Sequence, residues 1–198
     1  MEFSHDASWQ NFEEIFNAKL PIKEAWKGII DFHEQQKPKA YWSELRQLNV
    51  EAEQAGFIGW IEQIVSASPV SKRTLALWIG ITKLFDEENE REYYAIYLQG
   101  SDKYDNKSIE WAELPTYEPE HNYGLVEVLS QMDQLLRNDE EDYTFLDWML
   151  PLAYIALTFD EIIRTKRLNK NLFLQGKNKL YVSTGFEEGD YVNLTAIE

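Results

Sequence analysis

Between Pro69 and Thr74 the spacing of apolar residues changes from a helical period to strict alternation. That switch excludes all-helical and all-strand folds and predicts helices packed with a sheet. Upstream, Trp9, Phe12, Ile15, Phe16 and Leu20 mark one face of a first helix, for which Asp6 or Ser8 offers a cap. Pro21 suits the opening turn of a second, whose stripe is Ile22, Ala25, Trp26, Ile29, Ile30 and His33 and which should end before Pro38. Helical spacing continues over 39–68, where Gly56 and Gly59 are places for a kink or split.

Downstream, residues 74–85 set Leu75, Leu77, Ile79 and Ile81 on one face and Ala76, Trp78, Gly80 and Thr82 on the other, so both faces look covered and the segment reads as a central strand. A second strand over 92–99 and a half-exposed third over 108–112, where Ile109 and Trp111 alternate with polar residues, would complete an antiparallel meander. Helical spacing returns at Leu125, Val128, Leu129, Met132, Leu135 and Leu136. Residues 145–167 begin apolar nearly all round, as a deeply buried helix would, and finish with Arg164, Lys166 and Arg167. Strands are expected at 172–175, 180–184 and 191–196, the last two joined by the turn 185–190. The predicted fold is α+β: a helical N-terminal third, an antiparallel β-meander, two central helices and a C-terminal β-hairpin. These are expected to pack as one domain over 1–198, helical over residues 1–68 and mixed β/α over residues 69–198.

The absence of cysteine excludes disulfides, thiolate zinc sites, iron–sulfur clusters and cysteine nucleophiles. The N-terminus lacks the basic and apolar regions of a secretory signal, and the longest apolar run, 148–157, is half of the ~20 residues that cross a bilayer, so a soluble, cytoplasmic protein is expected. None of the nine glycines forms a dinucleotide or phosphate-loop fingerprint, and neither Gly-x-Ser-x-Gly nor His-Glu-x-x-His occurs. His33 reads as a satisfied core histidine and His5 as belonging to a frayed end. His121 follows Glu118 and Glu120 in a proline-containing loop, where it could join those carboxylates around a metal or act in proton transfer; with no second histidine at ligand spacing, the segment reads as a solvated loop. Residues 102–106 resemble a calcium loop but lack its glycine and terminal glutamate, which leaves a hairpin turn. Asp147 stands at an apolar helix start, either as a carboxyl raised by burial or as a carboxylate favoured by the helix dipole. No catalytic residue, metal site or cofactor is therefore assigned.

Charge is the strongest signal. The chain carries 35 acids against 19 bases for a net -16, yet its 7 Trp, 11 Tyr and 10 Phe are incompatible with a disordered acidic tail. Residues 1–85 carry 11 acids and 9 bases (net -2), and residues 86–198 carry 24 acids and 10 bases (net -14). Segments 86–92, 110–120 and 139–142 contribute -4 each and 187–190 contributes -3. Candidate partner-binding residues are therefore Glu87, Glu88, Glu90, Glu118, Glu120, Asp139, Glu140, Glu141, Glu187, Glu188 and Asp190. Acidic loops gathered at one end of a sheet would focus a negative potential; scattered, they would only solubilise. Such a surface repels phosphate backbones, which argues against nucleic acid, and no membrane is implied. It suits a cationic protein partner, bound by a monomer or homodimer.

An acidic, cysteine-free, aromatic-rich α+β chain of this size without catalytic motifs resembles the immunity proteins of bacterial toxin systems. The ending 180–194, with Gly-Phe-Glu-Glu-Gly-Asp at 185–190, resembles a Gly-Phe-x-x-Gly-Asp hairpin of some of them. The resemblance implies a type of activity, binding and blocking a toxin domain, often a basic nuclease, and carries over no functional residue. Two other readings stand beside it. An acidic chaperone or adaptor for a secreted effector would form a homodimer and bury an exposed apolar patch. An enzyme using Asp147, His121 or the acidic loops around a divalent metal would gather three or more carboxylates and a histidine in one concave pocket.

Overall fold

A computed structural model describes residues 2–87, 90–187 and 189–198. In chain order these form α1 (His5–Asn17), α2 (Ile22–Gln36), α3 (Trp42–Gln47), α4 (Gln54–Ala67), β1 (Ala76–Asp86), β2 (Arg91–Ser101), α5 (Glu110–Glu113), β3 (Tyr123–Leu125), α6 (Glu127–Leu136), α7 (Tyr143–Arg164), α8 (Lys170–Leu174), β4 (Tyr181–Phe186) and β5 (Tyr191–Asn193). The α+β class is as predicted. The chain forms two compact units, Met1–Glu53 with Glu127–Glu161, and Gln54–Val126 with Ile162–Glu198.

The helices α1 to α4 all lie within 1–68, and the division between the two units falls inside that helical stretch, between Glu53 and Gln54. Neighbouring side chains are anchored on opposite sides of it. Glu53 accepts the Glu127 and Val128 backbone N–H groups at 2.7 and 3.0 Å, capping α6, and the Tyr154 hydroxyl at 3.1 Å. Gln54 accepts instead from the Arg167 guanidinium, so α4 belongs with the sheet.

In the first unit, α1 is capped by Ser4, whose hydroxyl accepts from Ala7 N–H, rather than by Asp6 or Ser8. The predicted stripe of α2 is buried throughout, and its Trp26 indole donates to Leu45 O at 2.9 Å. Residues 151–160 of α7 are all buried, as the all-round apolar sequence requires, and Asp160 among them pairs with Lys19 at 3.0 Å. His5 is no frayed end: it opens α1 and stacks on Trp148, ring centroids 4.4 Å apart.

The second unit is built on a five-stranded sheet of order β3-β2-β1-β4-β5. Strands β1, β2 and β3 form the predicted meander, but its third strand is Tyr123–Leu125. Residues 108–112 turn instead into α5, where the Ser108 hydroxyl accepts from Glu110 N–H and Trp111 and Ala112, adjacent in sequence, are both buried. Residues 172–175 likewise are not a strand but the end of α8, which buries the consecutive Phe173 and Leu174. Gly56 and Gly59 neither kink nor split α4; the break in 39–68 lies between α3 and α4. Among the described residues no helix is long and apolar enough to cross a membrane.

Candidate functional site

The hairpin of β4 and β5 joins the meander through a parallel pairing of β4 with β1, in register from Ala76↔Tyr181 to Ile81↔Phe186. Because the two strands point the same way, the turn after β1 and the turn after β4 emerge at the same end of the sheet. Past Ile81, the last residue paired with β4, β1 runs on with β2 to Asp86↔Arg91, five residues or roughly 16 Å further, and from Leu84↔Tyr93 on the two form a two-stranded ribbon. The described residues of segments 86–92 and 187–190 thus bring -3 and -2 to one end of the sheet, and outside these two segments the unit, with 16 acids and 12 bases in all, carries +3. Glu87, Glu90 and Glu187 are exposed there and Asp190 is half-buried. Glu88 and Glu188 lie outside the described residues.

The other candidate acids go elsewhere. Tyr117 pairs with Gly100 at the far end of β2, and its hydroxyl donates to Ser68 O at 2.7 Å, so the exposed Glu118 and Glu120 stand at the opposite end. The approach segments to β1 and β4 and the exit from β2 bring Lys72, Arg73, Lys103, Lys107, Lys177 and Lys179 to that end. Asp139, Glu141 and Asp142 belong to the first unit, which carries 19 acids and 7 bases (net -12), and there they meet the chain's own lysines. The Lys37 ammonium lies 2.7 Å from Glu141 and 2.8 Å from Asp142, and Lys39 lies 3.1 Å from Asp139. Burial alone would raise the Asp139 carboxyl, but hydrogen bonds from Lys39 and Tyr41 hold it below its ordinary range. The three carboxylates offer oxygens within 4.8 Å of one another, yet two ammoniums already answer them. Glu140 is exposed, His121 sits exposed with φ 53° beside Glu120, and Asp147 is half-buried in the second turn of α7.

A cleft of about 330 Å³ opens on one face of the sheet, lined by Trp78, Tyr97, Gln99, Ile109, Ala112, Glu113 and Glu187. Its floor depends on two glycines. In the row Tyr97↔Gly80↔Gly185 across β2, β1 and β4, a β-carbon on Gly80 would meet Tyr97 Cζ at 2.0 Å, and one on Gly185 would meet Trp78 Cη2 at 2.8 Å. Both rings therefore lie down on the sheet. Trp111, edge-on to Trp78 with centroids 6.2 Å apart, backs the floor, and the Gln99 amide donates to Ala112 O at 2.8 Å, fixing α5 as a wall. The Trp78 indole donates to the Tyr97 hydroxyl at 3.3 Å, and that hydroxyl hydrogen-bonds in turn to Glu187. Burial, with the Glu187 carboxylate adding to it, pushes the Tyr97 phenol up to about 12. Sequence reasoning found Glu187 but missed Trp78, Tyr97, Gln99 and Glu113; two glycines inside buried strands were the available signal. Glu113 and Glu187 give the cleft two carboxylates.

No protein-family model, curated protein or solved structure matches the chain.

Proposed function

We propose that this chain is an acidic protein-binding module that docks a cationic protein partner at the end of the sheet where the β1–β2 and β4–β5 turns emerge. In its specific form, the module is an immunity protein that blocks a basic toxin domain by laying carboxylates into the toxin's cationic groove. The parallel β1–β4 pairing carries this reading. It gathers five net negative charges of the described residues at one end of a unit that is net positive outside these segments. A unit polarised in this way orients an approaching cation as well as attracting it. The exposed Phe85, 61% accessible and paired with Glu92 on the ribbon, supplies an apolar anchor among those charges. Other acids contribute less to attraction because lysines of the chain neutralise them, as at 139–142.

The test is kinetic. A partner isolated with the full chain should associate tenfold or more slowly as salt rises from about 0.01 to about 0.15 M, since the Debye length contracts from about 30 to about 8 Å. Dissociation should change far less. An association rate indifferent to salt would remove the electrostatic basis of the proposal.

A further inference from the structure

We infer that the cleft between Trp78, Tyr97, Glu113 and Glu187 receives a single arginine side chain of the basic partner, an assignment that rests on the partner reading above. The hydrogen-bond inventory of the cleft leads to it. The Trp78 N–H is used by the Tyr97 hydroxyl, and the Tyr97 hydroxyl is engaged with Glu187. One of the two Gln99 amide N–H groups is used by Ala112 O, which leaves the other N–H and the carbonyl open. Glu113 has no ion-pair or hydrogen-bond partner among the described residues. Apart from that Gln99 N–H, the polar side-chain groups of the lining still available are acceptors: two carboxylates and one amide carbonyl. Among the described residues no basic side chain lines the cleft, in contrast to the acids at 139–142 with Lys37 and Lys39 set between them.

A cleft whose open groups are mainly acceptors is complementary to a group that only donates. Guanidinium has five N–H donors and no acceptor. Its plane stacks on aromatic rings, and its fork bonds carboxylate oxygens in pairs; an ammonium does neither. The floor presented by Trp78 and Tyr97, flattened against the sheet by Gly80 and Gly185, suits a planar cation, and desolvation beside α5 strengthens the attraction.

The experiment titrates the full chain with N-acetyl-arginine amide, N-acetyl-citrulline amide and N-acetyl-lysine amide, following the assigned Trp78 indole N–H by NMR. The arginine probe should shift that resonance saturably at millimolar concentration. Citrulline, of the same shape without charge, should bind about tenfold more weakly or less, and lysine should fall between them. Glu113→Gln, an exposed change, should weaken the arginine probe severalfold without moving the melting temperature. No saturable shift, or citrulline or lysine binding as tightly as arginine, would overturn the assignment. Absent probe binding with salt-dependent partner association intact removes the arginine pocket alone. Probe binding with salt-indifferent partner association removes the partner reading instead.

Discussion

The outer edge of the Tyr97 ring occupies the space that a side chain on Gly80, its cross-strand partner, would need. In a strand interior, Gly→Ala normally stabilises by about 0.5–1 kcal/mol through backbone entropy. Here the added methyl must expel the ring, so Gly80→Ala should destabilise by about 1–3 kcal/mol. Urea denaturation decides the sign. A gain in stability would mean that Tyr97 does not lie on the strand as described.

His33 is fully buried, with Nδ1 2.8 Å from Ile29 O and Nε2 3.1 Å from the Ser8 hydroxyl. A neutral ring satisfies both contacts, its Nδ1–H donating to the carbonyl and its Nε2 accepting from Ser8. Burial pushes its pKa below the ordinary value, partly opposed by the Ile29 hydrogen bond. The unfolded chain therefore binds this proton more readily. Stability should be full above about pH 6.5 and fall below it, with a slope of at most about 1.4 kcal/mol per pH unit. His33→Gln should flatten that slope between about pH 6.5 and about 5.5, above the carboxylate range. An unchanged slope would contradict the neutral buried assignment.

Lys37 offsets a buried charge rather than decorating a surface. The Asp142 side chain is 4% exposed and the Lys37 ammonium lies within 2.9 Å of both its oxygens, whereas Glu141 is 58% exposed. Lys37→Met should cost about 3 kcal/mol by leaving the buried Asp142 only the more distant Lys39 ammonium, 3.7 Å away, and Glu141→Gln under about 1 kcal/mol. Equal losses in thermal melts would refute this division of roles.

The same lysines bear on metals. With Lys37 and Lys39 set against the carboxylates of Asp139, Glu141 and Asp142, melts in EDTA, calcium, magnesium or zinc should superimpose. A rise of several degrees with any one ion would show that the lysines yield to it.

Local patterns in the sequence carried the elements that bury a long periodic face. The stripe of α2 and the two-sided apolar run of β1 were both legible at residue level. Short segments were not. In α5 the alternation of Ile109 and Trp111 imitates a strand, and only the burial of the adjacent Trp111 and Ala112 distinguishes a single helical turn. The β1–β4 pairing was invisible because residues 76–81 and 181–186 are about a hundred positions apart and parallel pairing leaves no local signature. The acidic segments could therefore be found but not placed, and the acids answered by Lys37 and Lys39 looked like those that are not. The cleft was illegible for the same reason: its floor exists only once Gly80 and Gly185 are side by side.

If the proposal holds, charge at one end of the sheet, rather than acidity in general, governs partner association. Two double variants separate these: Glu87→Lys with Glu90→Lys at the turn end, and Glu118→Lys with Glu120→Lys at the opposite end. All four residues are exposed, so each substitution should cost under about 0.5 kcal/mol in stability, and both variants change the net charge equally. Stopped-flow association with the isolated partner at low salt should slow about tenfold or more for the first variant and less than about twofold for the second. Equal slowing of the two, or none in either, would contradict the account.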